Sequence, residues 1–483
     1  MEQPSVEAKG LQAIRPGVRR RSQASPERGY EGKYPSPEER RAAGKALRTK
    51  VPLQSHAQWK EPADRPDPIG ILTASNKGRM SDLVPIRHGR MLTSPFAFLR
   101  GSAAVMASDL SRTPVSGIRV QACGDCHLMN FGAFGTPERQ MNFSINDFDE
   151  TLPAPWEWDV KRLAASIVVA GRYVDFKEGD TLAAAGSMVR SYRRRMARYA
   201  EMRALDVWYD HIDVEQVIAS LPSVARKRLT ARVEKARARS VVEHDFPKLT
   251  ESSGTQARIK HDPPLMFHIQ GNEGKAARKN VIAAMKMYRT TLEDHYRVLL
   301  DRFRLQDLAV KVVGVGSVGT MCMVALFMAS ESDPLFLQVK QANASVLEPY
   351  AGKSAYSNHG QRVVVGQRLM QAASDMMLGW TVGKLGGRHF YLRQLRDMKL
   401  SAIIETMAPE TMRIYGKLCG WALARAHARS GDPAMIAGYL GNSDVFDEAI
   451  VKFAGAYADQ TESDHRAMRK AARDGGLEVA DIE

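Results

Sequence analysis

The sequence predicts an α+β protein with a large helical portion. Two separated stretches, around 118–145 and 308–395, hold short β-branched or alternating apolar runs punctuated by glycine and turn residues. Around them, Asp159–Tyr173, nearly all of 176–305, Met407–Arg429 and Ser443–Ala472 show apolar residues at helical spacing. The chain has 483 residues, 44% hydrophobic and 25% charged, which supplies ample core material and excludes a fibrous or wholly disordered protein.

In chain order, residues 1–68 are rich in Pro, Gly, Ser, Arg and Glu and lack apolar periodicity, so a disordered basic tail is expected. A helical region is expected over 69–307, opening with buried helix at Met91–Asp109. Within it, Ile118–Ala122 reads as a strand and Gly124–Asn130 as a loop. Thr136-Pro137-Glu138 is a turn before a second strand at Gln140–Ile145. A small β-rich region is expected over 308–400. It has strands at Leu308–Val313, Thr320–Ala329, Leu335–Val339 and Phe390–Leu395, and a turn at Ser330–Pro334. Helices over 401–483 are expected to pack back on the helical region.

No apolar stretch approaches the ~18–20 residues that a membrane helix needs. The four cysteines do not make a disulfide scaffold. Arg19-Arg20-Arg21 is followed by Ser22–Pro26 where an export signal would carry an apolar run, so a cytoplasmic location is expected. Lys and Arg number 69 against 54 Asp and Glu, a net charge of +15, which favours nucleic acid, anionic lipid or nucleotide phosphates as partners. Much of that charge lies in the first fifty residues and in Arg226–Arg239, so weak polyanion contact through the basic tail is one reading of function.

A sharper reading starts at Gly124-Asp125-Cys126-His127-Leu128-Met129-Asn130, followed across a predicted hairpin by Asn146-Asp147-Phe148-Asp149-Glu150. Phosphoryl transfer needs one carboxylate to accept the nucleophile's proton, and an amide and a second carboxylate to hold Mg²⁺, a hard cation that prefers oxygen. Asp125, Asn130 and Asp147 have that order, with Asp149 a further metal candidate. His127 reads as a hydrogen-bonding residue of the loop. Cys123 and Cys126 form a Cys-x-x-Cys pair, a redox or zinc pattern in other settings. No second pair exists, and no helix opens after Cys126.

The second motif is Gly314-Val315-Gly316-Ser317-Val318-Gly319 after a strand. A dinucleotide-binding turn of this form must be followed by a helix. A kinase-type glycine loop lies between two strands and covers ATP phosphates with its backbone N–H groups. The Leu335–Lys340 strand ends in a lysine, the position from which kinases contact phosphate. Glu348, on the next helical stretch, is a candidate ion-pair partner for Lys340.

Together, Arg90–Gly101, Cys123–Gly132, Asn146–Asp159, Gly314–Thr320, Leu337–Ala342 and Tyr391–Lys399 resemble a widespread bacterial family of unknown function (domain of unknown function 2252), grouped with the protein-kinase-like superfamily. The Gly-Asp-x-His-x-x-Asn form resembles the catalytic loop of aminoglycoside phosphotransferases and choline kinases. The resemblance implies a two-lobed kinase-like fold that binds ATP and Mg²⁺ and acts on an unknown small-molecule or protein acceptor. Asp125 would be the base, Asn130 and Asp147 the metal ligands, and Gly314, Gly316, Ser317, Gly319 and Lys340 the phosphate contacts. Asp159 resembles the helix Asp that braces the catalytic loop. The block order differs from a kinase, because the catalytic-loop block precedes the glycine loop, and a circular permutation would restore the geometry. The helix Tyr415–Arg429 would then be the one that precedes the catalytic loop in space, with His427 packing there. Nucleotidyl transfer by the same parts and non-catalytic nucleotide binding are the other readings.

Overall fold

The structure is a computed structural model that describes residues 33–480 except 220–222, 238–245, 254–255, 384–386 and 396–397. The chain enters through helix α1 (Pro37–Ala46), which Ser36 and Glu39 cap reciprocally. Helices α2 (Val84–Leu92) and α3 (Pro95–Gly101) lead to strand β1 (Arg119–Ala122). The hairpin β2 (Phe131–Gly135) and β3 (Met141–Ile145) follows, and β4 (Leu152–Pro155) returns antiparallel to β1. Helix α4 (Trp156–Tyr173) is buried at every position from 156 to 171, with Glu157, Asp159, Lys161 and Arg162 in its first two turns and an apolar run after them. Its neighbour α5 (Glu178–Tyr199) packs along a later helix, α7.

Beyond residue 246 the chain is strand-rich. It carries β5 (Thr250–Ser253), β6 (Gln256–Ile259), β7 (Met266–Phe267), β8 (Arg304–Lys311), β9 (Cys322–Ser330) and β10 (Asp333–Ala342). Helix α6 (His359–Met370) precedes β11 (Gly379–Val382), β12 (His389–Gln394) and β13 (Leu400–Ser401). The last helices are α7 (Pro409–Ser430), α8 (Pro433–Leu440) and α9 (Val445–Arg473). One six-stranded antiparallel sheet runs in the order β11-β12-β10-β9-β8-β7. The largest apolar cluster joins α4, α5, α7 and α9, and a smaller one lies under the sheet around Tyr288, Leu337 and Val339.

On β10 the two-residue period sends Leu335, Leu337 and Val339 into that smaller core and leaves Gln338 and Lys340 on the opposite face. Near the other end of the chain, Ser430 Oγ accepts the Gln121 N–H at 3.2 Å, so the end of α7 abuts the start of the segment that carries Asp125.

Two expectations need correction. The segment 176–305 is not almost wholly helical, because β5, β6, β7 and the start of β8 lie within it. Residues 33–68 are not a disordered tail. Helix α1 meets α8 backbone to backbone: a Cβ on Gly44 would come 2.0 Å from the Met435 oxygen, and one on Gly438 would come 2.1 Å from the Arg41 oxygen. Arg48 donates to the Tyr439 and Gly438 carbonyls, and Arg65 pairs with both Asp109 and Asp464. These arginines therefore have intramolecular partners, whereas the basic residues before position 33 lie outside the described residues. Among the described residues no helix is long and apolar enough to cross a membrane.

Candidate active site

The Cys123–Asn130 loop is held from beneath. Gly124 has φ +83°, and a Cβ there would sit 2.4 Å from the Glu150 oxygen, so only glycine fits. Asp159, in the first turn of α4, accepts the Cys123 N–H at 2.6 Å and the Gly124 N–H at 3.0 Å. His427 of α7 reaches the same carboxylate at 3.2 Å and contacts the Tyr192 hydroxyl at 2.9 Å with its other ring nitrogen. Asp159 and His427 are buried, as a brace requires.

The upper face of the loop carries Asp125. One helical turn past Asp159, the buried Arg162 donates from Nε to Asp125 Oδ1 at 2.8 Å and again from Nη2. The Leu99 carbonyl anchors Arg162 at 2.9 Å. Asp125 Oδ2 stays clear of that pair, with His127 Nε2 at 3.8 Å. Burial holds the His127 ring down to a pKa of about 4, so it is neutral at pH 7. Asn130 donates its Nδ2 to the Asp125 carbonyl at 2.7 Å, which turns its amide oxygen the other way.

The β2–β3 hairpin returns the chain beside this loop, and the Asn146 N–H donates to the Asn130 carbonyl at 2.8 Å. Asp147 and Asp149 follow directly. Lys340 Nζ forms an ion pair with Asp149 Oδ2 and lies 3.9 Å from Asp147 Oδ2. The Tyr391 hydroxyl donates to Asp149 Oδ1 at 2.7 Å, so both Asp149 oxygens are engaged. Asp147 Oδ1 accepts only the Asp149 N–H, at 3.1 Å, and about a third of its side chain is exposed. Burial works against the Lys340 ammonium, yet Asp147 and Asp149 hold its pKa well above the usual range. Burial likewise pushes Asp147 up, but Lys340 and Arg393 outweigh it and keep the carboxyl below its ordinary value. Glu150 differs: burial raises it to about 7 despite Arg362 and the Val346 N–H.

The glycine loop spans the gap between β8 and β9, and no helix follows Gly319, which removes the dinucleotide reading. Gly314 and Gly319 have φ +67° and +85°. Arg90 donates to the Gly314 carbonyl at 2.5 Å, Arg79 to the Val318 carbonyl at 2.5 Å, and the Met80 N–H to the Gly319 carbonyl at 2.7 Å. A Cβ on Gly316 would lie 3.1 Å from the Arg100 oxygen. The loop is thus laid against the segment that carries α2 and α3.

Two cavities meet there. One, of about 350 Å³, is lined by Lys340, Gln338, Arg393, Gln394, Leu395 and Lys399. The other, of about 140 Å³, is lined by Asp125, Asn130, His127, Arg79, Arg87 and Arg100. Gly314, Ser317 and Asp147 line both. The structure therefore brings Asp125, His127, Asn130, Asp147, Asp149, Gly314, Gly316, Ser317 and Lys340 to one cleft, and Asp159 beneath it.

Gly319 lines neither cavity and packs on Arg79, which a Cβ there would meet at 3.1 Å, and Glu348 is the other exception. It faces His359 at 3.7 Å and does not pair with Lys340, whose carboxylate partners come from the Asp147–Asp149 segment. Cys123 and Cys126 are free and buried, and burial lifts the Cys126 thiol well above its ordinary value, opposite to a redox-active thiolate. Among the described residues no three His, Cys, Asp or Glu side chains cluster as a metal-binding group.

Residues missed in the sequence are Arg162, Tyr391 and Arg393, and the arginines at 79, 87 and 100. Arg162 was detectable as the residue one turn after Asp159. Tyr391 and Arg393 stand opposite Lys340 and Gln338 in the β12–β10 register, a pairing that no local pattern reveals.

These features define an α+β protein with a carboxylate-, lysine- and glycine-lined cleft. Residues 79–471 match the family described as "Uncharacterized protein conserved in bacteria (DUF2252)", and the chain belongs to that family. No curated protein and no solved structure matches it.

Proposed function

We propose that this chain is an ATP- and Mg²⁺-dependent phosphotransferase with a circularly permuted, two-lobed, kinase-like organisation. One observation carries the reading. A lysine on the second strand after a glycine loop, Lys340, meets Asp147 and Asp149, which follow an Asp-x₄-Asn loop and lie more than 190 positions earlier in the sequence. The contact between the end of α7 and β1 supports the permutation, since it sets helix, loop, hairpin and Asp147 in the spatial order that phosphoryl transfer uses.

In this reading the larger cavity takes the nucleotide. The glycine loop covers its phosphates and Lys340 contacts them. Mg²⁺ is bound through one or two carboxylates plus substrate phosphates, so it needs no all-protein cage. Asp147, whose side chain is about a third exposed, and the Asn130 amide oxygen fit that demand. Asp149, already held by Lys340 and Tyr391, fits it less well. The metal would neutralise phosphate charge. Asp125 Oδ2 would receive the acceptor's proton. Arg162 fixes the direction of Asp125, and a loose transition state demands positioning above all.

The test is labelled ATP with Mg²⁺ against a panel of metabolites and peptides. Asp147→Asn should abolish Mg²⁺-dependent ATP consumption while the fold survives. Asp125→Asn should slow the chemical step and leave nucleotide affinity similar. Full activity in either variant removes that residue from its role.

A further inference from the structure

Asp125 lines only the smaller cavity and Lys340 only the larger, with Asp147 and the glycine loop between them. On the phosphotransferase reading, on which this inference rests, the donor occupies the Lys340 side and the acceptor the Asp125 side. A drug-sized ligand needs roughly 300–1,000 Å³. The larger cavity, at about 350 Å³, meets that, whereas the smaller, at about 140 Å³, suits one compact group.

The wall of the smaller cavity is cationic in an unusual way. Arg79, Arg87 and Arg100 line it, and none of the three forms an ion pair with a carboxylate among the described residues. Arg87 is 1% exposed, donates to Asn76 Oδ1 and the Gly101 carbonyl, and leaves its Nε buried without a partner. The Arg100 side chain makes no hydrogen bond to the described residues. Its Nε is likewise buried and unpartnered, and its nearest aromatic contact is Phe96 at 5.9 Å. Burial and the neighbouring Arg79 lower Arg87 to a pKa of about 9, the mark of a guanidinium with too little negative charge beside it. Asp149 and Glu150 act on Arg79, and Asp125 and Glu405 on Arg100, only from beyond ion-pair distance, while Asp125 is paired with Arg162 and both Asp147 and Asp149 face Lys340. A buried cation without a partner is costly, and an incoming anion removes the cost.

We propose that Arg79, Arg87 and Arg100 form an anion subsite beside Asp125, so that the acceptor is a small molecule carrying a phosphate or carboxylate group.

Arg79 and Arg87 also hold the glycine loop and the α2–α3 region, whereas Arg100 holds no other element, so the test falls on Arg100. The full chain, saturated with Mg²⁺ and a non-hydrolysable ATP analogue, is titrated calorimetrically with inorganic phosphate and, in a second arm, with succinate. At least one anion should bind once per chain, and the arm that binds tells phosphate from carboxylate recognition. R100Q should weaken that binding roughly 10–100-fold, the scale of lost hydrogen bonds to a charged group, and R100K should recover part of it. The proposal falls if neither anion binds, if R100Q binds as the wild type does, or if the anion displaces the ATP analogue, which would give the arginines to the donor's own phosphates. A chain that binds phosphate through Arg100 yet never binds ATP overturns the phosphotransferase reading and leaves the anion subsite standing.

Discussion

Lys161 and Lys340 are both buried, and the protein shifts their pKa values in opposite directions. Lys161 sits inside α4 with only the Pro114 carbonyl at 3.4 Å and the face of Phe453 at 5.1 Å. Burial brings its pKa down to about 7, although Glu157 pulls the other way. Lys340 is as deeply buried, but two aspartates and a tyrosine surround it and its charge is retained. The same desolvation is relieved by releasing a proton in the helix core and by assembling counter-charges in the cleft. Charge that a protein holds in place at such cost is more often tied to function than charge it lets go.

The most damaging way to break this comparison is Lys340→Met. Asp147 and Asp149 then lose their cation, and the expected cost is roughly 2–4 kcal/mol, below that of a fully buried pair because both carboxylates keep some solvent. Urea unfolding measures that loss, and nucleotide titration should show ATP binding abolished. Unchanged stability would mean that the aspartates never depended on Lys340.

Asp159→Asn comes next. It sets an amide NH₂ against one of two backbone N–H donors and removes the charge facing His427, for roughly 1–3 kcal/mol. Thermal unfolding should detect the loss, and ATP consumption should fall with it because the Asp125 loop loses its brace.

The smallest effect is expected from Lys161→Met, within about 1 kcal/mol of the wild type at pH 7, since a buried ionic group can often be exchanged for an apolar one at no loss. The pH profile is the sharper readout. The unfolded chain keeps the Lys161 proton up to about 10.5 while the folded chain releases it near 7, so between those limits the unfolded state binds more protons. Wild-type stability should therefore climb relative to K161M from pH 7 toward 10. A flat difference would show that Lys161 stays charged in the fold.

The strand–glycine-turn–strand unit and the Asp125–Asn130 loop were legible because each is local: glycines at φ +67° and +85°, and a two-residue period through Leu335, Leu337 and Val339 that leaves Lys340 on the other face, although the strand runs on to Ala342. The order of residues 33–68 was not. Its sequence is polar, and its partners, Asp432, Gly438, Tyr439 and Asp464, lie nearly 400 positions away. The same distance hid the arginine wall. Arg79, Arg87 and Arg100 look like solvated charges of a basic chain until the glycine loop, more than 200 residues later, is laid on them. Glu348 misled for the opposite reason: it stands close to Lys340 in sequence, but the carboxylates that reach the lysine arrive from the other side of the cleft.

The contact between Ser430 and Gln121 spans 309 positions, and it has a consequence for the nascent chain. At about 5–20 residues per second, the ribosome delivers α7 roughly 15–60 s after the strand and loop that it completes. Throughout that interval the buried faces of α4 have no α7 or α9 to cover them, and Asp159 waits without His427. Contacts of such separation also close slowly once both partners exist. Synthesis therefore leaves the Asp125 loop without its brace until the last helices emerge.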